Sequence, residues 1–207
     1  MARLAQTQGN LDDATKLMNE AANLLPLGVP AWFIPEVISQ QVKIYLAQKN
    51  PIAAEVVLKQ VPGSFVEPEK YQSELIFIAQ LRVVLHSVKN GEYQDDLDLP
   101  LQLADRKIST AIHHHRFGIA LEILLVLIQI QSIVGRKEAA LENLNKALQL
   151  AEHEGYVRIF LDAGPEIHEL LKIAQKKNLH PEMTRKLLAA FSSAETLSTS
   201  SAEQTGL

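Results

Sequence analysis

The chain has 207 residues, enough for one elongated helical domain of about four or five helix pairs, and it is 47% hydrophobic but only 5% aromatic. This composition favours helices over sheets, and the formal net charge of −4 excludes a general electrostatic attraction to nucleic acid. The absence of cysteine excludes a disulfide framework, a thiolate zinc site and a cysteine nucleophile.

The beginning of the chain, MARLAQTQGN, lacks the basic start and apolar core of a signal peptide, so we expect a cytoplasmic protein. Turn signals then recur near residues 9, 50, 91 and 135. Their spacing of about 41 to 44 residues is typical of helical-hairpin repeats. The sequence therefore predicts an all-α array of hairpins.

The first three units differ in regularity. In the first, LDDATKLMNEAANLL follows Gly9 and has an apolar face at helical spacing, and Pro26 is predicted to end it. In the second, two helical patterns flank Asn50, and Pro51 suits a first helical position. The third is the least regular, because Pro100 lies between its turn and the segment LQLADRKISTAI.

The fourth unit contains the most apolar segment of the chain, residues 119–134, followed by a turn at Gly135 and a helix with Gly155 as its predicted C-cap. Glu122, Gln129 and Gln131 interrupt the apolar run, which falls short of the roughly 18 to 20 residues that a membrane span needs. We therefore expect a buried helix and no membrane contact.

The turn residues and the helices after them resemble the second helix of tetratricopeptide repeats, which has small, large and small residues at fixed spacing after a turn glycine. The matching series are Gly9, Ala14, Met18, Ala21 and Pro26, and then Gly135, Ala140, Leu144 and Ala147. The resemblance implies a right-handed superhelical array of antiparallel hairpins, a tetratricopeptide-like α-solenoid. An irregular helical bundle is the alternative, because the middle units match poorly.

A sharper resemblance covers residues 101–174, and AEHEGYVRIFLDAGPEIHELL at 151–171 is its most distinctive part. This region is similar to the last repeats of MalT-like large LuxR-type transcriptional regulators. The resemblance implies an ATPase module before the repeats and a helix-turn-helix after them. This chain has no G-x-x-x-x-G-K-[ST] phosphate loop, so the resemblance implies no ATPase activity for this chain itself.

The predicted domain spans residues 1–191, with extra C-terminal helices at 156–191, and residues 192–207 are a Ser/Thr-rich stretch predicted to be a flexible tail or linker. The first unit has only a short segment before its turn. Repeat arrays normally start with a polar cap, so we expect a segment of a longer protein.

Three residue clusters could carry chemistry, and each has a simpler interpretation. His113, His114 and His115 could ligate metal, but consecutive helical side chains diverge by about 100°, which favours a turn. The carboxylates at 12–13 and at 95–98 lie at predicted helix starts, where they cap N–H groups. No nucleophile–base motif is present, so we expect no catalytic residue, cofactor or metal.

Arg158 and Asp162 are four residues apart and can pair across one helical turn. An ion pair that stabilises this helical turn is the simpler interpretation, and a ligand role for Arg158 is the alternative. Gly164 and Pro165 then predict the end of one helix and the start of the next.

Polar residues within apolar first helices are the candidate binding site. By similarity to tetratricopeptide arrays, this face lines a groove for a ligand or peptide, and hydrogen bonding between adjacent repeats is the equally weighted alternative. The candidate residues are Gln40, Arg82, His86, Glu122, Leu125, Gln129 and Ser132.

The preferred interpretation is a non-catalytic, signal-sensing domain of a MalT-like regulator. Its expected partner is a small-molecule effector or a protein, with self-association as a further expectation. DNA contact would belong to a C-terminal domain outside this chain. A freestanding tetratricopeptide-like scaffold for protein–protein interaction is the alternative function.

Overall fold

The computed structural model of the chain describes residues 1–24, 30–61 and 71–204, and within these ranges it contains helices and turns but no strand. The chain divides into two compact units, Met1–Pro100 and Leu101–Leu207. Helices that are neighbours in sequence pack against each other in both units. The all-α, tetratricopeptide-like fold predicted from the sequence is therefore confirmed.

Unit 1 is built from hairpins whose helices are joined by tight turns. Its helices are α1 (Ala2–Thr7), α2 (Leu11–Leu24), a short 3-10 helix (Ala31–Phe33), α3 (Ile34–Ala47), α4 (Pro51–Lys59) and α5 (Tyr71–Lys89). Helix α3 is central, since it packs on α2, α4 and α5. Asn50 begins α4 by accepting a hydrogen bond from the Ala53 N–H at 3.1 Å, and Pro51 follows as predicted.

Unit 2 has one long hairpin and a C-terminal group of helices. Its helices are α6 (Asp98–His113, which begins three residues before the unit boundary), α7 (Phe117–Ile133), α8 (Lys137–Glu154), α9 (Arg158–Leu161), α10 (Pro165–Lys176) and α11 (Pro181–Gln204). Helix α7 packs along α8, and α10 and α11 form a second pair that also contacts α8. Helix α6 thus starts earlier than predicted, with Pro100 in its first turn.

One turn geometry recurs along the described chain. A residue with positive φ follows the helix, and the next N–H donates to the carbonyl five residues earlier at 2.8 to 3.0 Å. The positive-φ residues of these turns are Gly9, Lys49, Gly91, His115, Gly135 and Asn178. Near residue 50 the left-handed position is therefore Lys49, and the His cluster ends in a turn of the same kind.

The repeat spacing read from the sequence corresponds to buried positions. In α8, Ala140, Leu144 and Ala147 are fully buried, and in α2 the equivalent Ala14 and Met18 are buried. Small residues let neighbouring helices approach closely while the larger residue fills the remaining space. Pro26, predicted to end α2, lies outside the described residues.

Helix α7 is enclosed on nearly all sides. Most of its residues are buried, including Gln129 and Gln131, so the apolar run is a core helix as expected. In the described part of the chain, no helix combines the length and the apolar character required for crossing a membrane.

Helix α11 continues through the Ser/Thr-rich stretch to Gln204. No helix end marks the predicted boundary between residues 191 and 192. The flexibility of residues 192–207 stays a prediction, and residues 205–207 lie outside the described ranges.

Candidate functional site

The predicted groove residues of the fourth unit share one face of α7. Glu122, Leu125, Gln129 and Ser132 follow each other at intervals of three and four residues, so they form one row along the helix. We call these four residues the α7 row. Leu125 and Gln129 are 2% and 4% exposed, whereas Glu122 and Ser132 are partly exposed. Solvent therefore reaches this row at its ends.

Gln129 is held by its own helix. Its Nε2 donates to the Leu125 carbonyl oxygen at 3.1 Å within the protein interior. A buried amide must be hydrogen-bonded, because its desolvation otherwise costs about 1 to 3 kcal/mol. This bond fits the structural interpretation of Gln129, and a ligand role for the α7 row stays a prediction.

The other predicted residues belong to unit 1. Gln40 is buried on α3 and donates from Nε2 to Gln6 Oε1 at 2.6 Å, which joins α3 to α1. Arg82 and His86 lie one turn apart on α5, and both are partly buried. The His86 Nε2 atom lies 3.1 Å from Asn90 Nδ2 at the end of the helix. The Gln40 bond fits hydrogen bonding between adjacent repeats, the alternative given above, whereas the His86 contact is local to the end of α5.

A buried hydrogen bond between α7 and α8 was not among the predicted sites. Asn143 Nδ2 donates to Gln131 Oε1 at 3.0 Å, and the two residues are 6% and 7% exposed. Lys146 Nζ lies 3.4 Å from Asn143 Oδ1 at the edge of this contact. The sequence signal was an amide among the apolar residues that face the partner helix in each helix of this hairpin.

One of the carboxylates near helix starts, Asp96, caps a helix as predicted, whereas the cap of α2 is Asn10. Asp13 Oδ2 accepts from Asn10 Nδ2 at 2.6 Å, while the Asp13 N–H donates to Asn10 Oδ1 at 3.3 Å. Asp96 Oδ1 accepts from the Asp98 N–H at 2.8 Å where α6 begins. These side chains thus form hydrogen bonds at the starts of α2 and α6.

The ion pair predicted between Arg158 and Asp162 is present. Arg158 Nε lies 2.8 Å from Asp162 Oδ1, and both side chains are largely exposed, so the pair contributes little to stability.

In the described ranges, no group of three His, Asp or Glu side chains is placed to share a metal ion.

Unit 1 contains a cleft that the sequence did not predict. Its volume is about 540 Å³, and it lies between α2 and α4 with α3 beneath it. The described residues that line it are Asn19, Ala22, Asn23, Gln41, Tyr45, Asn50, Ile52, Ala53, Val56, Val57 and Gln60. We call this space the α2–α4 cleft. Its volume falls within the roughly 300 to 1,000 Å³ range of ligand sites in proteins.

A small hydrogen-bond network joins α2 and α3 at one side of the α2–α4 cleft. Asn19 Oδ1 accepts from Gln41 Nε2 at 3.4 Å and from the Tyr45 hydroxyl at 3.3 Å. Gln41 is buried at 8% exposed, whereas Asn19 is exposed. On the other wall, Ile52 and Val56 are 75% and 48% exposed despite being large apolar residues. The cleft is therefore polar on its α2 and α3 sides, and it has an apolar edge on α4.

The family of the chain follows from its match to a family model. The model of the MalT-like TPR region matches residues 1–177, which is most of the chain. The chain belongs to the MalT-like TPR region family. No curated protein and no solved structure matches it. The resemblance stated from the sequence is thereby confirmed.

Within this MalT-like TPR region lie both the α7 row and the α2–α4 cleft. The match also covers α1 to α10 but not α11, which begins at Pro181. The family match thus includes every candidate residue named from the sequence.

The side chains gathered in these two places are of types that make non-covalent contacts. Amides, a hydroxyl and apolar groups supply hydrogen bonds and contact area, and they do so without covalent chemistry. The TPR-like repeats of such families generally mediate protein interactions.

Proposed function

We propose that the chain is the non-catalytic recognition region of a LuxR-type transcriptional regulator in the cytoplasm. An effector or partner protein binds to it and favours one of two states of the regulator, because a ligand shifts an equilibrium toward the state that it binds more tightly. The match of residues 1–177 to the MalT-like TPR region is the observation that carries this proposal.

In this proposal the α7 row is one contact surface for the effector. Its partly exposed ends, Glu122 and Ser132, meet the ligand, and the buried Gln129 stabilises the helix between them. Self-association through the same region would let one regulator respond to the state of another. DNA contact is left to a helix-turn-helix that follows the repeats.

The coding sequence on both sides of the described chain tests this assignment. We expect a phosphate-binding loop of the form G-x-x-x-x-G-K-[ST] upstream and a helix-turn-helix downstream. A native gene that starts at Met1 and stops after Leu207 would contradict the proposal. In that case the freestanding scaffold is the better description.

A further inference from the structure

The sequence contains a single Asn–Gly pair, Asn90–Gly91, and both residues are exposed in the turn that follows α5. Gly91 has a φ of +71°, and a Cβ built there would meet no described atom within 4 Å. Glycine also has no side chain that could shield its own backbone nitrogen. The Gly91 nitrogen is therefore sterically accessible to a neighbouring electrophile.

The neighbouring electrophile is the side-chain amide carbon of Asn90, Cγ. A bond between this carbon and the next backbone nitrogen closes a cyclic imide. In the folded turn the Gly91 N–H donates to the Val88 carbonyl at 3.2 Å, the long limit of such bonds. Exposed helix ends open readily because few buried contacts hold them, and opening of this bond frees the Gly91 nitrogen for attack.

His86 lies beside the atom that must leave in such a reaction. The Asn90 Nδ2 atom is 3.1 Å from His86 Nε2, in the last turn of α5. An amide nitrogen leaves only after it gains a proton, and imidazole exchanges protons readily near neutral pH. A protonated His86 is thus within hydrogen-bond distance of the leaving nitrogen.

Two other asparagines in turns lack a reactive neighbour. Asn178 is exposed and has a positive φ in a turn of the same form, but the side chain of Leu179 crowds the following nitrogen. Asn50 precedes Pro51, whose nitrogen carries no hydrogen. These two residues are internal controls for the chemistry at Asn90.

We propose that Asn90–Gly91 is a self-modification site, with His86 as the acid and water as the co-reactant. The Gly91 nitrogen bonds to Asn90 Cγ and gives its proton to solvent. The Cγ–Nδ2 bond breaks, and Nδ2 leaves as ammonia with a proton from His86, which regains one from solvent. Water then opens the imide at either carbonyl and leaves aspartate or isoaspartate at position 90.

The reaction changes both the charge and the backbone at the end of α5. Residues 92–98 already contain four carboxylates, and the helix dipole disfavours a further negative charge at a C-terminus. Isoaspartate also lengthens the backbone, which disrupts the turn in which the Glu92 N–H donates to the Ser87 carbonyl at 2.9 Å. Complete modification should therefore lower the melting temperature, as melting curves of fresh and fully modified chain will measure.

The test incubates the complete chain at neutral pH in ¹⁸O-labelled water and analyses its peptides by mass spectrometry at intervals. Digestion in ordinary water adds no label, so the label reports the incubation alone. We expect labelled aspartate and isoaspartate at residue 90, and much slower labelling at Asn178 and Asn50. Isoaspartate is decisive because direct hydrolysis of the side chain gives aspartate only.

His86→Gln tests the imidazole, because a glutamine can still accept from Asn90 Nδ2 but cannot deliver a proton. The rate of modification should fall at least about fivefold, less than acid–base catalysis gives in an enclosed active site, because the pair is exposed. His86→Ala should be similarly slow, and imidazole added to the solution should accelerate it. This rescue separates loss of the acid from a change in folding.

Three results would overturn the proposal. They are labelled aspartate without isoaspartate at residue 90, modification at residue 90 no faster than at Asn178, and an unchanged rate in both His86 variants. The inference does not depend on the proposed binding function. None of these experiments uses an effector or the gene context, so failure here leaves that function to its own test.

Discussion

Gln129 and Gln131 lie two residues apart on α7, yet their hydrogen bonds differ. Gln129 donates to its own helix at Leu125, whereas Gln131 accepts from Asn143 on α8. Both amides are buried. The first bond stabilises a helical turn, and the second joins two helices, so the two residues should respond differently to substitution.

Replacing Asn143 with Ala should destabilise the chain by about 1 to 3 kcal/mol, because Gln131 Oε1 is then buried without its donor. Replacing Gln131 and Asn143 together with Leu should reduce the free energy of unfolding less than Asn143→Ala alone, since no polar atom of the pair remains buried. Urea unfolding followed by circular dichroism measures both changes. If the double variant is the less stable of the two, the hydrogen bond has been assigned the wrong role.

The α7 row is tested by replacing its partly exposed ends, Glu122 and Ser132, together with Ala. We expect affinity for an effector to fall by about 1 to 3 kcal/mol while the melting temperature changes little, because a bound polar group loses its partners and neither residue is buried. Titration calorimetry and melting curves of both proteins separate binding from stability. Unchanged affinity would remove these residues from the site, and a large loss of stability would make them structural.

Six connections between helices in the described chain have the same form, with one left-handed residue and a hydrogen bond spanning five residues. Glycine adopts this conformation without strain, whereas other L-residues pay about 1 to 2 kcal/mol. The left-handed residue is a glycine at Gly9, Gly91 and Gly135, whereas it is Lys49 in the turn near residue 50. The turns are therefore places where single substitutions change stability through the backbone alone.

Gly135→Ala should destabilise the chain by about 1 kcal/mol, because φ is +81° there although a Cβ would meet no atom within 4 Å. Lys49→Gly should have the opposite effect. As a control, Gly118→Ala in the first turn of α7 should stabilise by about 0.5 kcal/mol, since a Cβ there makes ordinary contact with Tyr156. Equal unfolding midpoints for the Gly135 and Gly118 variants would refute this explanation.

Much of the element pattern could be predicted from the sequence, because turn glycines and apolar spacing are local signals. The Gly155 cap, the Pro165 helix start and the Arg158–Asp162 pair depend on residues close in the chain, and all three are present. The start of α6 was predicted too late because Pro100 is tolerated in a first turn.

The α2–α4 cleft could not be predicted in the same way. Its walls come from three helices, and Asn19 meets Gln41 and Tyr45 only after those helices pack. Asn19–Asn23 and Gln41–Tyr45 are visible as four-residue intervals, but such spacing also occurs on ordinary exposed helix faces. The α7 row is likewise visible as a pattern, whereas its burial depends on the surrounding helices.

On the scale of the whole molecule, the family match includes residues of both units. The sequence contains no phosphate-binding loop for a nucleotide. We expect the isolated chain neither to hydrolyse ATP nor to bind duplex DNA at physiological salt, given its net charge of −4 and the missing phosphate loop. Phosphate release and electrophoretic mobility assays measure these properties. ATP turnover that copurifies with the folded chain, or salt-sensitive DNA binding, would contradict this expectation.

The claim that this region recognises a ligand without transforming it is tested most directly by a thermal-shift screen in which each stabilising compound is afterwards analysed by mass spectrometry. A ligand at 100 times its Kd stabilises the folded state by about 2.7 kcal/mol, which raises the melting temperature measurably. We predict at least one small molecule or peptide that gives such a shift, saturates and is recovered chemically unchanged. A screen without any stabilising compound, or a stabilising compound that is converted into a product, would contradict the account.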